Sequence, residues 1–372
     1  MTQTMLVIAT VTQSLVLQSP ESWAVARSLG LSITFAAGRD EWSPALAKEA
    51  EYVETSSQRS VRPFALWRMA TSLHRVALIG EWDLVQVQTP LAGCLWRLVA
   101  PQRMRRRTVY VVHGFHFHKD GKALWNAVSR LVERLLLRRC MAMAVVSNED
   151  FVSALELRGR TPRPMLWHLP GAGIDVEGFA SAKHIPRDRD FALFCGELND
   201  NKDPMLALRA VEAARRLGSN LDAVVIGDGP LGAQVKGFAS TRPWVSLVSQ
   251  SKYVSAWMAR ASVLLAPSRR EGLPRVIVEA LAAGVPVIAR SNRGSRELLA
   301  DGFGTLMRPE ANVFDWAQAI TAHISARVDT ESAGVGAEAR RRRAQHYGLD
   351  AFCSSYEALL RHCLTMLGTG RE

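Results

Sequence analysis

The feature that most limits how this chain can fold is a rhythm. Short apolar runs at MLVIATV (5–11), LSITFAA (31–37), WDLVQVQ (82–88), TVYVVHG (108–114) and AMAVVS (142–147) alternate with amphipathic stretches such as Glu21–Gly30 and Pro63–Ile79. Runs of this length, separated by helical periodicity, are the pattern of βαβ units on a parallel sheet. After Pro170 a polar, turn-rich stretch (171–190) intervenes, and the rhythm restarts with FALFCG (191–196), a helical stretch at Pro204–Leu217, DAVVIG (222–227), SVLLAPS (262–268) and VPVIAR (285–290). From Val313 to Leu367 the pattern is helical, with a break at ARRRRAQHYG (339–348). The 372 residues therefore divide into two α/β domains of ordinary size. The expected division is 1–172, then 187–346, then a last helix at 347–372 that returns toward the first domain. The linker lies near residues 172–188. Two Rossmann-like, doubly wound sheets of this kind are expected to face a cleft and to bind ligands at the carboxyl ends of their strands.

One stretch in the second half carries two carboxylates whose placement needs a reason. In RREGLPRVIVEALAAGVPVIAR (269–290), Glu271 lies in the loop after a strand, and Glu279 lies two turns into a helix among Val276, Ile277, Val278, Leu281 and Ala282. A charged carboxylate in such surroundings is costly unless a partner satisfies it. Arg275, four residues earlier, is the plain candidate. That order, base before acid, is the weaker one on a helix. Carboxylates that accept from sugar hydroxyls, beside a helix amino end that takes phosphate, suit the pattern better, and a sugar nucleotide has both groups.

With these residues in place, the chain resembles glycosyltransferase family 4, the retaining enzymes of GT-B fold whose hallmark is a pair of glutamates eight positions apart. Glu271, Gly272, Pro274, Glu279, Ala280, Ala282, Gly284, Pro286 and Val287 match that motif position for position. FCGELNDNKDPMLALRA (194–210) resembles the family's glycine-rich loop, and VIGDGPL (225–231) its strand-and-turn signature. The resemblance implies two Rossmann-like domains, the first binding acceptor and the second the nucleotide-sugar donor. It further implies donor contacts from Gly196, Lys202, Arg270, Glu271, Gly272, Leu273 and Glu279. Lys202 would grip the diphosphate, Glu271 the sugar and Glu279 the ribose hydroxyls. UDP is the expected nucleotide, on family frequency.

In the first domain, YVVHGFHFHKDG (110–121) ends a strand with His113, His116 and His118. The three do not share one face, so a metal site is not expected. The plain reading of His113 is a buried core histidine; the resemblance implies instead a catalytic residue near the transferred sugar. HGFHF and QTPLAG (88–93) resemble the branch that builds bacterial surface polysaccharides. Thr12, Gln13 and Ser14 stand where many relatives have a pair of glycines, and are expected to form a cleft loop. Other departures are Glu197 for arginine, Ser249 for glycine and Ser262 for aspartate. The triplet Asp188, Arg189, Asp190 falls in the linker and is given no metal-binding role. No cofactor is expected.

The formal charge of +11 suits a polyanionic partner. It is concentrated at 59–75, 103–107 and 129–139, where arginines mix with Trp, Leu and Val. Without a zinc, RRM or helix-turn-helix signature, and with the glutamate pair left unexplained, nucleic acid is a poor partner. Basic amphipathic helices instead suit an anionic membrane surface. The plain alternative is that their apolar residues pack on the sheet. No apolar run reaches the length of a membrane span, and MTQTMLVIATVTQSL lacks the basic flank of a secretory signal. Five cysteines without CxxC spacing fit a reducing compartment. The expected activity is therefore retaining, metal-independent hexosyl transfer from a nucleotide sugar to a lipid-linked saccharide, for capsule, exopolysaccharide or lipopolysaccharide. It would occur in the cytoplasm, at the inner face of the cell membrane. The competing reading is a catalytically silent GT-B partner in a polysaccharide assembly at the membrane.

Overall fold

The computed structural model describes residues 3–17, 20–58, 60–119, 121–171, 173–182, 189–248, 253–328 and 336–368. Asp188 of the DxD triplet and the loop residues 249–252 lie outside this set.

The chain forms two compact units, Met1–Gly173 with Leu349–Glu372, and Ile174–Gly348. The first holds a seven-stranded sheet of β1 (Gln3–Val11), β2 (Leu31–Gly38), β3 (Glu51–Thr55), β4 (Leu84–Gln88), β5 (Thr108–Val112), β6 (Ala142–Val145) and β7 (Met165–His168). Its spatial order is β3-β2-β1-β4-β5-β6-β7, and every pair is parallel. Strands covered on both faces read as continuous apolar runs, and Met5 to Ala9 of β1 are fully buried. At the edge, β3 is EYVET, with charges exposed at Glu51 and Glu54. On one face, Met69, Leu73 and Val76 of the helix Pro63–Ile79 pack with Ala92 and Trp96 of Pro90–Val99. The long helix Leu349–Gly368 belongs to this unit: Tyr356 donates to Gln86 Oε1 at 2.8 Å, and Trp167 donates to Ser355 at 3.0 Å.

One ion pair fixes the helix Ala123–Leu136. Arg97 is fully buried, donates to the Gly93 carbonyl at 2.9 Å and reaches Glu133 Oε2 at 2.8 Å. Its guanidinium lies 4.1 Å from the centre of the Tyr110 ring.

The second unit holds β8 (Phe191–Cys195), β9 (Asp222–Ile226), β10 (Val245–Val248), β11 (Val263–Ala266), β12 (Val287–Arg290) and β13 (Thr305–Met307). Its order is β10-β9-β8-β11-β12-β13, again all parallel. The sheet is coated on both faces by separate apolar clusters, one including Phe191, Val224 and Ile277, the other Phe194, Val225 and Trp316. Both sheets thus wind outward in two directions from a central pair, β1 with β4 and β8 with β11. Loops leaving such a pair at its carboxyl ends part to opposite sides and leave a crevice, which is where ligands of these sheets bind.

Candidate active site

In the second unit the loops leaving β8 and β11 are laced together at that crevice. Gly196 follows β8, and its carbonyl passes so close to Gly227 that a side chain on Gly227 would sit 1.9 Å from it. The β8 loop then turns through Asn199, whose side chain accepts from the Lys202 amide at 2.9 Å, and ends at Asp203. Asp203 has a left-handed backbone (φ 54°) and caps the helix Pro204–Arg216. Its carboxylate also takes Arg269 and Arg290, each at 3.2 Å. Asn201 receives the Arg270 amide at 3.1 Å and donates to its carbonyl at 3.0 Å. These bonds fix the β11 loop against the β8 loop.

The result is a contact between Lys202 and Glu271, with Nζ to Oε1 at 2.6 Å. Both side chains are largely buried, at 26% and 16% exposure. Glu279 projects from the helix Arg275–Ala282, whose amino end begins after Pro274 and has no side-chain cap. Its carboxyl keeps some solvent exposure, yet burial pushes it above the usual range, partly offset by Arg275 and Lys202. Among the described residues its side chain makes no hydrogen bond and no ion pair. Burial, then Glu279, raises the Cys195 thiol at the end of β8 to about 12, with Lys202 opposing. Lys202, Glu271 and Glu279 therefore form one electrostatic group around the ends of β8 and β11. Gly272 and Leu273 line the same loop, with Leu273 packed on the core. Gly294 is pressed against the Gly272 carbonyl, where an added Cβ would sit at 2.5 Å. The Arg270 side chain is exposed and carries no ion pair among the described residues.

Asn201, Asp203 and Arg290, none of which is among the expected donor contacts, hold this geometry. Asp203 before Pro204 is a helix-start signal, and that was its only visible mark. Ser262 stands where aspartate was expected, and it donates to Asp190 at 2.9 Å. Asp190 also pairs with Arg260 at 3.5 Å, a structural use of that carboxylate.

In the first unit His113 directly follows β5 and is half-buried. Thr12, Gln13 and Ser14 are not a loop: they open the short helix Thr12–Leu17. Thr12 is fully buried and donates its hydroxyl to Asp40, whose other oxygen accepts the Gln13 amide at 2.9 Å. Asp40 and Ser43 thus take the backbone and hydroxyl groups that an open loop would present. Thr10 and Thr89 join the ends of β1 and β4 by a 2.7 Å hydrogen bond. A cavity of about 540 Å³ opens at the carboxyl ends of β1, β2 and β3, lined by Gln13, Arg39, Asp40, Glu54, Gln58 and Arg68 among others. Its lining is polar and charged, which suits hydroxyl-rich ligands. Among the described residues no group of three His, Cys, Asp or Glu could hold a metal ion.

The basic helices settle differently from either simple reading. Met69 and Leu73 pack inward, whereas Phe64 and Trp67 of the same helix stack on each other in solvent, with ring centres 5.9 Å apart. On Ala123–Leu136, Leu124, Trp125, Leu131 and Leu135 are exposed, Leu124 at 79%. No helix among the described residues is long and apolar enough to cross a membrane.

Residues 189–326 match the family described as Glycosyl transferases group 1. EpsD of Bacillus subtilis (strain 168), which bears a glycosyltransferase name, is 30% identical over 241 residues, covering 60% of this chain and 62% of the relative. The UDP-Gal:alpha-D-GlcNAc-diphosphoundecaprenol alpha-1,3-galactosyltransferase of Escherichia coli is 24% identical over 248 residues, 62% of this chain and 64% of the relative. The matched part is less than two thirds of either relative. Among solved structures, a glycosyltransferase from Rickettsia africae ESF-5 superposes with a TM-score of 0.72 at 16% identity, covering 97% of this chain and 98% of that one. HepE of Anabaena in complex with UDP gives 0.71 at 17% identity, covering 97% and 100%. The chain has the two-sheet GT-B fold of these structures, and its residues 189–326 are similar to the glycosyltransferase group 1 family.

Proposed function

We propose that this protein is a retaining glycosyltransferase that moves a sugar from a UDP-sugar to a lipid-linked saccharide, in the building of a bacterial surface polysaccharide. The observation that carries this reading is the joining of Lys202 and Glu271 at the carboxyl ends of β8 and β11, with the unpartnered Glu279 beside them. Lys202 is assigned to the donor diphosphate, Glu279 to the ribose hydroxyls and Glu271 to the sugar. Gly196 and Gly272 let backbone approach, Leu273 supplies an apolar wall, and Arg270 is a second cation for the phosphates. Lys202 and Glu271 neutralise each other across their 2.6 Å contact. An arriving diphosphate competes for the ammonium, which frees Glu271 to accept from a sugar hydroxyl.

The chemistry then needs charge stabilisation more than a nucleophile. The bond from the anomeric carbon to the diphosphate breaks while the acceptor oxygen bonds to the same face. The acceptor's proton passes to the departing phosphate oxygen. Lys202 and the uncapped amino end of Arg275–Ala282 offset the charge that develops on the diphosphate, so no metal ion is required. In the first unit His113 is assigned to a sugar hydroxyl, and the polar cavity at Gln13, Asp40 and Arg68 to the acceptor saccharide. Thr12 and Ser14 support the cavity's wall.

A relative that acts on a diphosphoundecaprenol-linked sugar and structural neighbours solved with UDP and with UDP-glucose support the substrate classes. The exposed Phe64, Trp67, Leu124 and Trp125, set among arginines, support docking on the inner face of the cell membrane, where a lipid-linked acceptor is presented. The test is a calorimetric titration with UDP-, GDP- and nicotinamide nucleotides, with and without EDTA. One sugar nucleotide should bind, indifferent to EDTA, and Glu279→Ala should abolish the heat. Binding by none of them, with lipid-linked acceptor present, would overturn the reading in favour of a silent assembly partner.

A further inference from the structure

The first sheet has a second concave site at its opposite edge. A cavity of about 410 Å³ is lined by Arg103, Arg106, Arg107 and Arg163, against one carboxylate among the described residues, Asp83. The topology explains why these residues meet. Asp83, Arg107 and Met141 each directly precede a strand (β4, β5 and β6), and Arg163 stands two residues before β7. All therefore lie at the amino edge of the sheet, whereas His113 and Thr12 lie at the carboxyl edge. A five-residue strand separates the two edges by about 17 Å. The C-terminal helix closes one side with Met366.

Four guanidiniums around one concavity repel one another, and little among the described residues relieves them. Arg107 donates to the Trp82 carbonyl at 2.8 Å, and Arg103 is 3.6 Å from the exposed Glu81. Arg106 and Arg163 have no side-chain hydrogen bond and no ion pair among the described residues. Asp83 is already engaged, since its Oδ2 accepts the Thr4 amide at 3.0 Å and the Thr4 hydroxyl at 3.3 Å. The volume lies within the range of small-molecule sites, roughly 300–1,000 Å³, and exceeds what a bare phosphate needs. Met141 and Met366 give it an apolar part. Arginine forks match phosphate oxygens two at a time.

We propose that this cavity is a second anion site, separate from the donor site, and that it takes a phosphate group carried on a larger organic body. That phosphate has two sources, a soluble phosphorylated metabolite or the headgroup of an anionic phospholipid. The site does not depend on the donor assignment made above.

The test uses the full chain carrying Lys202→Ala, which weakens phosphate binding at the donor site, and compares it with the same chain carrying Arg106→Ala and Arg163→Ala. A matched control carries Arg209→Ala and Arg308→Ala, two exposed arginines of the second unit. Inorganic pyrophosphate is titrated by calorimetry. Separately, binding to phosphatidylcholine vesicles with and without phosphatidylglycerol is read by co-sedimentation at two salt concentrations. Melting curves check that each variant is folded. Loss of about tenfold or more in pyrophosphate affinity, specific to Arg106 and Arg163, supports the site with a soluble ligand. The same loss confined to phosphatidylglycerol vesicles supports it with a lipid headgroup. If the cavity variant matches the control in both arms, the proposal is overturned.

Discussion

Removing the Glu133 carboxylate tests the energetic reasoning at its most exposed point. Arg97 is fully buried and Glu133 nearly so, and the two are 2.8 Å apart. In Glu133→Ala the guanidinium keeps the Gly93 carbonyl, a long contact to the Cys94 sulfur at 3.8 Å and the Tyr110 ring face, none of which carries a full counter-charge. A buried charge left without its counterion costs about 3–5 kcal/mol. For a unit of this size each kcal/mol lowers the melting temperature by about 2–4 °C, so the expected drop is about 6–20 °C. Differential scanning calorimetry and urea titration at neutral pH measure it. Breaking the pair differs from replacing it. Arg97→Met with Glu133→Leu leaves no orphan charge and should recover most of the loss, because buried pairs are often matched by apolar residues of similar volume. Burial, with Glu133 next, holds the Cys94 thiol near 12, so the single variant should also react faster with a thiol reagent. A loss under about 1 kcal/mol in Glu133→Ala would refute the claim that this pair restrains a buried charge.

Other outcomes are sharper at the site. Glu271→Gln should keep nucleotide binding within a few-fold while lowering turnover by about a hundredfold or more, measured as kcat and KM separately. The Glu279 carboxyl is raised in the native state, so its contribution to stability is present at low pH and is lost as pH rises through its raised value; Glu279→Gln should remove that slope from a series of melting curves. Hydroxyl donors favour the ionised form, so nucleotide affinity should weaken as pH falls below the same value, and calorimetry in buffers of different ionisation heat should show proton release that Glu279→Gln lacks. Gly227→Ala drives a methyl into the Gly196 carbonyl and should destabilise the second unit by about 2–4 kcal/mol, read by urea titration. Trp67→Ser with Trp125→Ser should reduce binding to anionic vesicles without altering nucleotide affinity; equal vesicle binding would reject these helices as the membrane contact.

How much could be read from the chain depends on what each residue was asked to satisfy. The strands at MLVIATV, TVYVVHG and FALFCG were legible because a parallel strand coated on both faces must be apolar throughout. The edge strand Glu51–Thr55 was not, since one side of it faces water and its glutamates break the run. Glu271 and Glu279 stood out because a carboxylate in an apolar segment needs a reason. Asn201 and Asp203 sit among polar neighbours, where nothing in sequence separates a brace from a solvated loop. The helical start at Thr12 is hidden for the same kind of reason: its partner Asp40 is 28 residues away, and only the fold brings that carboxylate to the helix start.

The contrast between the two glutamates is the deeper result. Glu271 has its cation in hand, at 2.6 Å, while Glu279 makes no ion pair among the described residues, and burial holds it above the usual carboxylate range against the pull of Arg275 and Lys202. If both were structural, selection for stability would favour replacing Glu279 with an apolar residue, since Val278 and Ala280 beside it are buried without difficulty. Keeping a largely buried carboxylate there with no hydrogen bond to it among the described residues costs stability, a cost that hydroxyl donors would offset. The position that folding alone disfavours is therefore the one that the proposed function accounts for, because the ribose of a nucleotide supplies adjacent hydroxyls that can donate to it.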